Sequence, residues 1–326
     1  MEKPIQDSLN EELPDELSAA HIGQVLKKAR RRSTIRVILV SFVTVLILGA
    51  VGFFADQMLL SNAANAVMPY ARQKFSISEP NVYRGGTQFT EGILGGQIQM
   101  QTYKVIGGIP IPWATQYYQY SIFGGISPYY GDYSPSPQLP TPDGNRVYNE
   151  QTEQRAMQFY DPSVHYAHYF NDLSLLRSIP RNDEVEMAIS LNRDYSFAQV
   201  NRMLPGGVTP AWYWVDTYAL QDIRHDSFPL QTYEVYGFEK VPSASSPSDI
   251  QTATDFVRTI QSGLHGPLQS EYRQIYDALS HGTGKMTSAD VKIIGVVVTG
   301  TPRQLMALQG QPYVRASVLG AIANPY

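Results

Sequence analysis

Any chemistry this chain performs is done without thiols, because its 326 residues include no cysteine. Disulfides, thiolate zinc sites, cysteine nucleophiles and thiol redox chemistry are thereby excluded. His165 and His168 come nearest to a metal-ligand pair, since a spacing of three sets two imidazoles on one helix face. No HExxH pattern or third ligand stands nearby, and Tyr166 and Tyr169 mark a packed aromatic segment instead. Asp183, Glu184 and Glu186 cluster as a glycosidase pair would. They open a predicted strand, however, where exposed carboxylates are routine. Residues 282–287 (GTGKMT) imitate a phosphate loop, but Leu279 stands where its first glycine belongs and Met286 where its hydroxyl residue belongs. They read as a turn. There is no G-x-S-x-G elbow, and no S-x-x-K followed by K-T-G. No catalytic, cofactor-binding or metal-binding residue is assigned, no cofactor is expected, and the chain reads as non-enzymatic.

The elements that would position any site are better marked. Charged residues are 17% of the chain, below the ~25% of an average soluble domain, and the formal net charge is −4. A near-neutral chain lacks the basic face that nucleic-acid binding needs, so no direct nucleic-acid contact is expected. Length suggests about two domains. The 22 tyrosines point to an ordered, β-rich body.

Residues 37–55 (VILVSFVTVLILGAVGFFA) carry no charge, and only Ser41 and Thr44 are polar. A helix of that length covers roughly 30 Å, the thickness of a bilayer's hydrocarbon core. Lys27, Lys28, Arg30, Arg31, Arg32 and Arg36 precede it, and no base follows until Arg72. The positive-inside rule places the N-terminus in the cytosol and the body outside, in a single-pass protein of the cell membrane. Ala64-Asn65-Ala66 offers a signal-peptidase pattern. The 36-residue leader and the long apolar run exceed signal-peptide dimensions, which favours a retained anchor over residues 37–59.

The cytosolic tail, residues 1–36, is acidic in its first half and basic in its second. Leu17, Ala20, Ile22, Val25, Leu26 and Ala29 form a helical apolar stripe, with Ile22, Val25, Leu26 and Ala29 on one face at spacings of three and four. So short a tail has no core of its own to receive that stripe. Leu17, Ile22, Val25 and Leu26 therefore contact either lipid or a partner protein. The six basic residues are read as topology determinants that touch anionic lipid.

Beyond the anchor, residues 59–74 are expected to continue as a helical stalk bent at Pro69. A β-rich part follows, with strands over 96–106 and 116–123 and a turn region between them. Residues 127–145 hold five prolines and form the best internal boundary, ending a 60–145 region before a 146–326 domain. Seven tyrosines between Tyr103 and Tyr133 are either a stacking surface for sugars or peptides or ordinary strand aromatics. In the second part, two strand–helix–strand units recur about 105 residues apart. The first joins 184–192 to 211–218 and the second joins 291–299 to 313–319. Their helices open on the capping boxes Ser196/Gln199 and Thr301/Gln304. Helices are expected over 248–263, with a third box at Ser248/Gln251, and over 268–281. The fold class is α+β: one membrane helix, a smaller β-rich membrane-proximal part, and an outer domain with two β-α-β units, for which a ferredoxin-like sheet is the candidate arrangement.

Several stretches resemble the sigma-factor regulator family, single-pass membrane anti-sigma factors of Firmicutes. They are KKARRRS from Lys27, PNVYRGGTQFTEGILGG from Pro80, TYKVIGGIPIPW from Thr102, EVEMAISLN from Glu184, AWYWVDTY from Ala211, and IIGVVVTGTPRQLMALQGQPYVRASVLGA from Ile293. The resemblance implies a cytosolic segment that holds an extracytoplasmic-function sigma factor away from RNA polymerase. It also implies an outer domain that loosens this grip in response to an envelope signal. Membrane lipids, and a second membrane protein or a homodimer, are the other expected partners. Two readings from other classes stand beside it: an envelope-binding receptor or assembly factor whose tail only sets topology, and an extracytoplasmic cell-wall enzyme.

Overall fold

The computed structural model describes residues 19–130, 138–141, 144–218, 228–239 and 252–325. The chain divides into two compact units, the first ending at Met58 and the second running Leu59–Tyr326. In the first, helix α1 (Ala19–Ser78) covers everything described, and its apolar residues from Val37 to Met58 are exposed. It is long and apolar enough to cross a membrane. Thr44 Oγ1 donates to the Val40 carbonyl at 2.9 Å, so the hydroxyl in mid-span is satisfied within the helix.

From Leu59 the same helix continues into the second unit, as expected, but it is packed into a core and does not stand as a stalk. Leu60, Ala64, Val67, Met68, Ala71 and Phe75 are buried at helical spacing, and the helix runs through Pro69. They share one apolar cluster with a four-stranded antiparallel meander in the order β1-β2-β3-β4: β1 Tyr83–Glu91, β2 Gly95–Ile106, β3 Ile109–Ser121 and β4 Ile126–Tyr130. In β2 the even positions, Ile98 to Ile106, face inward and the odd positions outward. Tyr118 and Tyr120 are core residues, whereas Tyr83 and Tyr103 stack at 5.6 Å across the outer face.

The β2–β3 connection is tighter than the sequence suggested. Gly107 and Gly108 both take positive φ, at 58° and 87°, as a two-residue hairpin turn requires, so β3 resumes at Ile109. A Cβ at Gly107 would lie 2.1 Å from the Glu184 side chain. Pro110 and Pro112 fit inside β3 because β4 pairs only with Tyr117 to Tyr120, which leaves the proline end an edge. A short hairpin, β5 (Gln138–Thr141) with β6 (Gly144–Val147), follows. Residues on both sides of the Pro-rich run belong to this second unit.

The main sheet has the order β11-β9-β12-β8-β13, with every neighbouring pair antiparallel. Its strands are β8 Glu184–Tyr195, β9 Thr209–Val215, β11 Gly237–Glu239, β12 Ile293–Gly300 and β13 Val314–Ala323. Strands β8 and β9 are thus parallel and separated by β12, and β12 and β13 are parallel and separated by β8. This is the split β-α-β arrangement, with the two units interleaved in a ferredoxin-like sheet. The capping boxes at Ser196/Gln199 and Thr301/Gln304 both form, opening α2 (Phe197–Met203) and, after two further helices, α5 (Pro302–Leu305). Between them lie α3 (Ala253–Gly263) and α4 (Gln269–Ser280). Ser248 and Gln251 lie outside the described residues, and α3 is capped by Thr252, which accepts from the Asp255 amide.

Both faces of the sheet are covered, so β12 is buried at every position and reads as one apolar run. The helices cover one face, through Val200, Phe256, Ile260, Ile275 and Leu305. The stretch around β7 (Gln158–Phe159), which pairs with β10 (Leu230–Gln231), covers the other through Tyr160, Tyr166 and Phe170 against Trp212 and Trp214.

Candidate functional site

Two regions carry chemistry-bearing residues: the basic, apolar-striped start of α1 and a set of buried charges in the second unit. In the first, Leu17 lies outside the described residues and Ile22 lies on α1. Val25 and Leu26 are 55% and 58% exposed, and Lys27, Lys28, Arg30, Arg31, Arg32 and Arg36 are exposed as well. Ile22, Val25 and Leu26 share a face by spacing. An apolar face beside a belt of cations, directly ahead of an apolar span, suits a protein partner at the cytosolic surface or an anionic bilayer.

In the second unit the carboxylates do structural work. Glu186 is fully buried, contrary to the expected exposed strand start. It meets the Lys104 ammonium at 2.8 and 3.0 Å, accepts from Asn81 Nδ2 at 2.7 Å and from the Ala321 amide at 3.3 Å. Trp113 closes the pocket, its ring centroid 4.1 Å from Lys104 Nζ. The cluster ties the end of α1, the meander and the main sheet together. Asp183 is buried, and burial pushes the Glu184 carboxyl upward.

Two similar clusters lie elsewhere. Arg146 clamps Asp172 with two bonds of 2.7 and 2.8 Å, under the Phe170 ring. Lys74 of α1 pairs with Glu271 of α4, whose carboxylate also accepts from Tyr236 at 2.5 Å. Burial pulls the Lys74 ammonium down to about 8, with Glu79 opposing. Sequence reasoning missed these cations, although the period-two pattern that turns Ile98 and Met100 inward in β2 extends to Lys104.

His165 and His168 are exposed in a loop and do not converge with other ligands, and no group of three metal-ligating side chains forms among the described residues. Tyr166 and Tyr169 pack around Tyr160 at 5.0 and 5.3 Å, as the aromatic reading required. Residues 282–287 leave a turn at His281–Gly282 and run on as an irregular loop, with Gly282 and Gly284 at positive φ.

The family described as Sigma factor regulator N-terminal matches residues 23–111, and Sigma factor regulator C-terminal matches residues 176–321. The chain belongs to the sigma-factor regulator family. The N-terminal match covers α1 from Gly23, β1, β2 and the start of β3, and the C-terminal match contains the split β-α-β sheet except the last two residues of β13. This sigma-factor regulator is thus a single-pass membrane protein with an anti-sigma role and a sigma factor as partner, in a family that is regulatory and not typically enzymatic. No curated protein and no solved structure matches the chain.

One residue of the regulator predicts a pH dependence. Burial, reinforced by Asp161 and Asp194, pushes the Asp216 carboxyl up to about 6, against the Tyr218 amide and His281. The folded state therefore holds the extra proton between pH 4 and 6, and Asp216 destabilises it increasingly as pH rises through that window. Asp216→Asn should raise stability at pH 7.5 by about 2–3 kcal/mol and leave it unchanged at pH 4, read as paired urea titrations of the detergent-solubilised protein.

Proposed function

We propose that the segment ahead of the span sequesters an extracytoplasmic-function sigma factor in the cytosol and that the unit beyond the span releases it in response to an envelope signal. The observation that carries this reading is the apolar face at Ile22, Val25 and Leu26, exposed where described, in a family whose members regulate sigma factors. A helix turn or two suffices as a grip when the partner's other contacts come from the membrane surface or from a second copy of the chain. The basic belt supports the orientation, because six cations precede the span and only Arg72 and Lys74 follow it closely.

The second unit suits a sensor more than a catalyst. Glu186, Asp172 and Glu271 are held in pairs with Lys104, Arg146 and Lys74, and α1 enters the unit as a core helix, so a change in that core acts on the element that continues into the span. Removing residues 1–30 while keeping the span tests the reading. Transcription dependent on the partner sigma factor should rise at least tenfold, to the level of a strain lacking the protein. Unchanged transcription would show that the segment serves only topology and would favour an envelope-binding receptor.

A further inference from the structure

The meander ends in two apolar tips. The β1–β2 connection presents Ile93, 83% exposed, and Leu94, and the β3–β4 turn presents Phe123, 80% exposed. They lie side by side, since Gly95 pairs with Ser121 and the Ile122 amide donates to the Leu94 carbonyl at 3.1 Å. Phe89 adds a further half-exposed ring. Leu94 takes φ of 59°, a left-handed conformation that glycine adopts freely and a bulky residue rarely does, so the tip holds an apolar side chain where backbone preference opposes it.

The sheet's charge and direction say what faces these tips. From residue 85 to 130 the only charged side chains are Glu91 and Lys104, and Lys104 is buried, so apart from the half-buried Arg84 at the start of β1 this sheet exposes one charge. At the opposite end of the meander, Asn81 follows the C-terminus of α1 and donates to the Val105 carbonyl and to Glu186. The C-terminal end of the helix thus stands at the base of the sheet, and from Phe75 back to Leu60 its buried face shares the meander's apolar cluster. Strand β2 rises roughly 36 Å from base to tip while the helix from Leu60 to Ser78 covers roughly 27 Å. A helix packed back along the strands from that base therefore ends no farther out than the tips, at the point where the chain enters this unit.

We propose that the Ile93/Leu94 and Phe123 tips dip into the lipid interface of the bilayer that the span crosses, making the meander a membrane-resting platform. Apolar side chains on rigid turns bury themselves among acyl chains at such an interface, and Glu91 marks the level at which the headgroups begin. The proposal rests on the membrane reading of residues 37–55 and not on the identity of any protein partner. A second copy of the chain fits the same patch less well, because the tips join a bilayer already tethered beside them.

The absence of native cysteine makes the test direct. The full-length protein in phosphatidylcholine vesicles would carry an environment-sensitive NBD label at Ile93→Cys, Phe123→Cys, Pro110→Cys or Leu46→Cys, with quenching by doxyl-labelled lipid. Pro110 is exposed at the far end of the same sheet. Labels at positions 93 and 123 should lose at least half their emission, as the label at 46 does, while the label at 110 loses none. Quenching at 46 with none at 93 and 123 would overturn the tip contact and leave the span intact. No quenching at 46 would overturn the span and the proposal together. Self-quenching at 123, relieved by dilution with unlabelled protein and without lipid quenching, would make the patch a contact between copies and overturn the lipid assignment.

Discussion

Glu186→Ala should lower the unfolding free energy of the protein by about 3–5 kcal/mol, the largest stability loss expected from any single carboxylate here. The side chain is fully buried, and three groups depend on it: the Lys104 ammonium, Asn81 Nδ2 and the Ala321 amide. Alanine leaves the ammonium facing the Trp113 ring, strands the Ala321 amide and leaves Asn81 Nδ2 only the Val105 carbonyl at 3.5 Å. The pair itself is not the source of stability; the orphaned charge is the source of the loss. Lys104→Met/Glu186→Gln should therefore recover most of it, since methionine carries no charge and glutamine keeps an acceptor for Asn81. Urea titration of the solubilised full chain reads both. A single-variant loss below about 1 kcal/mol would show the pair to be solvated.

The second large effect falls on the partner. Ile22→Asp/Val25→Asp places two carboxylates on the face assigned to the sigma factor, and Val25 is more than half exposed. Burying either charge against an apolar partner surface costs several kcal/mol, and each 1.4 kcal/mol weakens binding about tenfold, so affinity should fall at least about 100-fold. Transcription from sigma-dependent promoters should then match that of a strain lacking the regulator. Asp also costs some helix propensity, so Ile22→Asn/Val25→Asn, similarly poor in helix, separates the two causes: it should bind more weakly than the native chain but more strongly than the Asp pair.

The sequence carried the architecture further than the contacts. The boxes at Ser196/Gln199 and Thr301/Gln304 were legible because capping is written into residues three apart, and both open the helices expected of them. The interleaving of the two units was not legible: it depends on β12 inserting between β8 and β9, a pairing between segments about 100 residues apart. The Gly107–Gly108 pair read as a turn, but its two-residue length was hidden by Pro110 and Pro112, which read as loop residues until the edge position of that part of β3 is known. Residues 59–74 read as a stalk because Ala and Asn are small, yet it is small side chains that let a helix lie close on a sheet. At the buried site, Glu186 looked like one of three surface carboxylates, since its partner Lys104 lies 82 residues away on another sheet. The basic belt and the apolar stripe, by contrast, are local patterns, and both were legible from spacing alone.

The central claim is that residues just ahead of the span grip a sigma factor. Affinity purification of the tagged full-length protein from gently solubilised membranes, beside the Ile22→Asp/Val25→Asp variant, tests it most directly. A sigma factor that accompanies the native chain and is missing from the variant, with both proteins recovered equally, is the predicted result. A sigma factor retained by the variant, or envelope proteins alone with both, would contradict it.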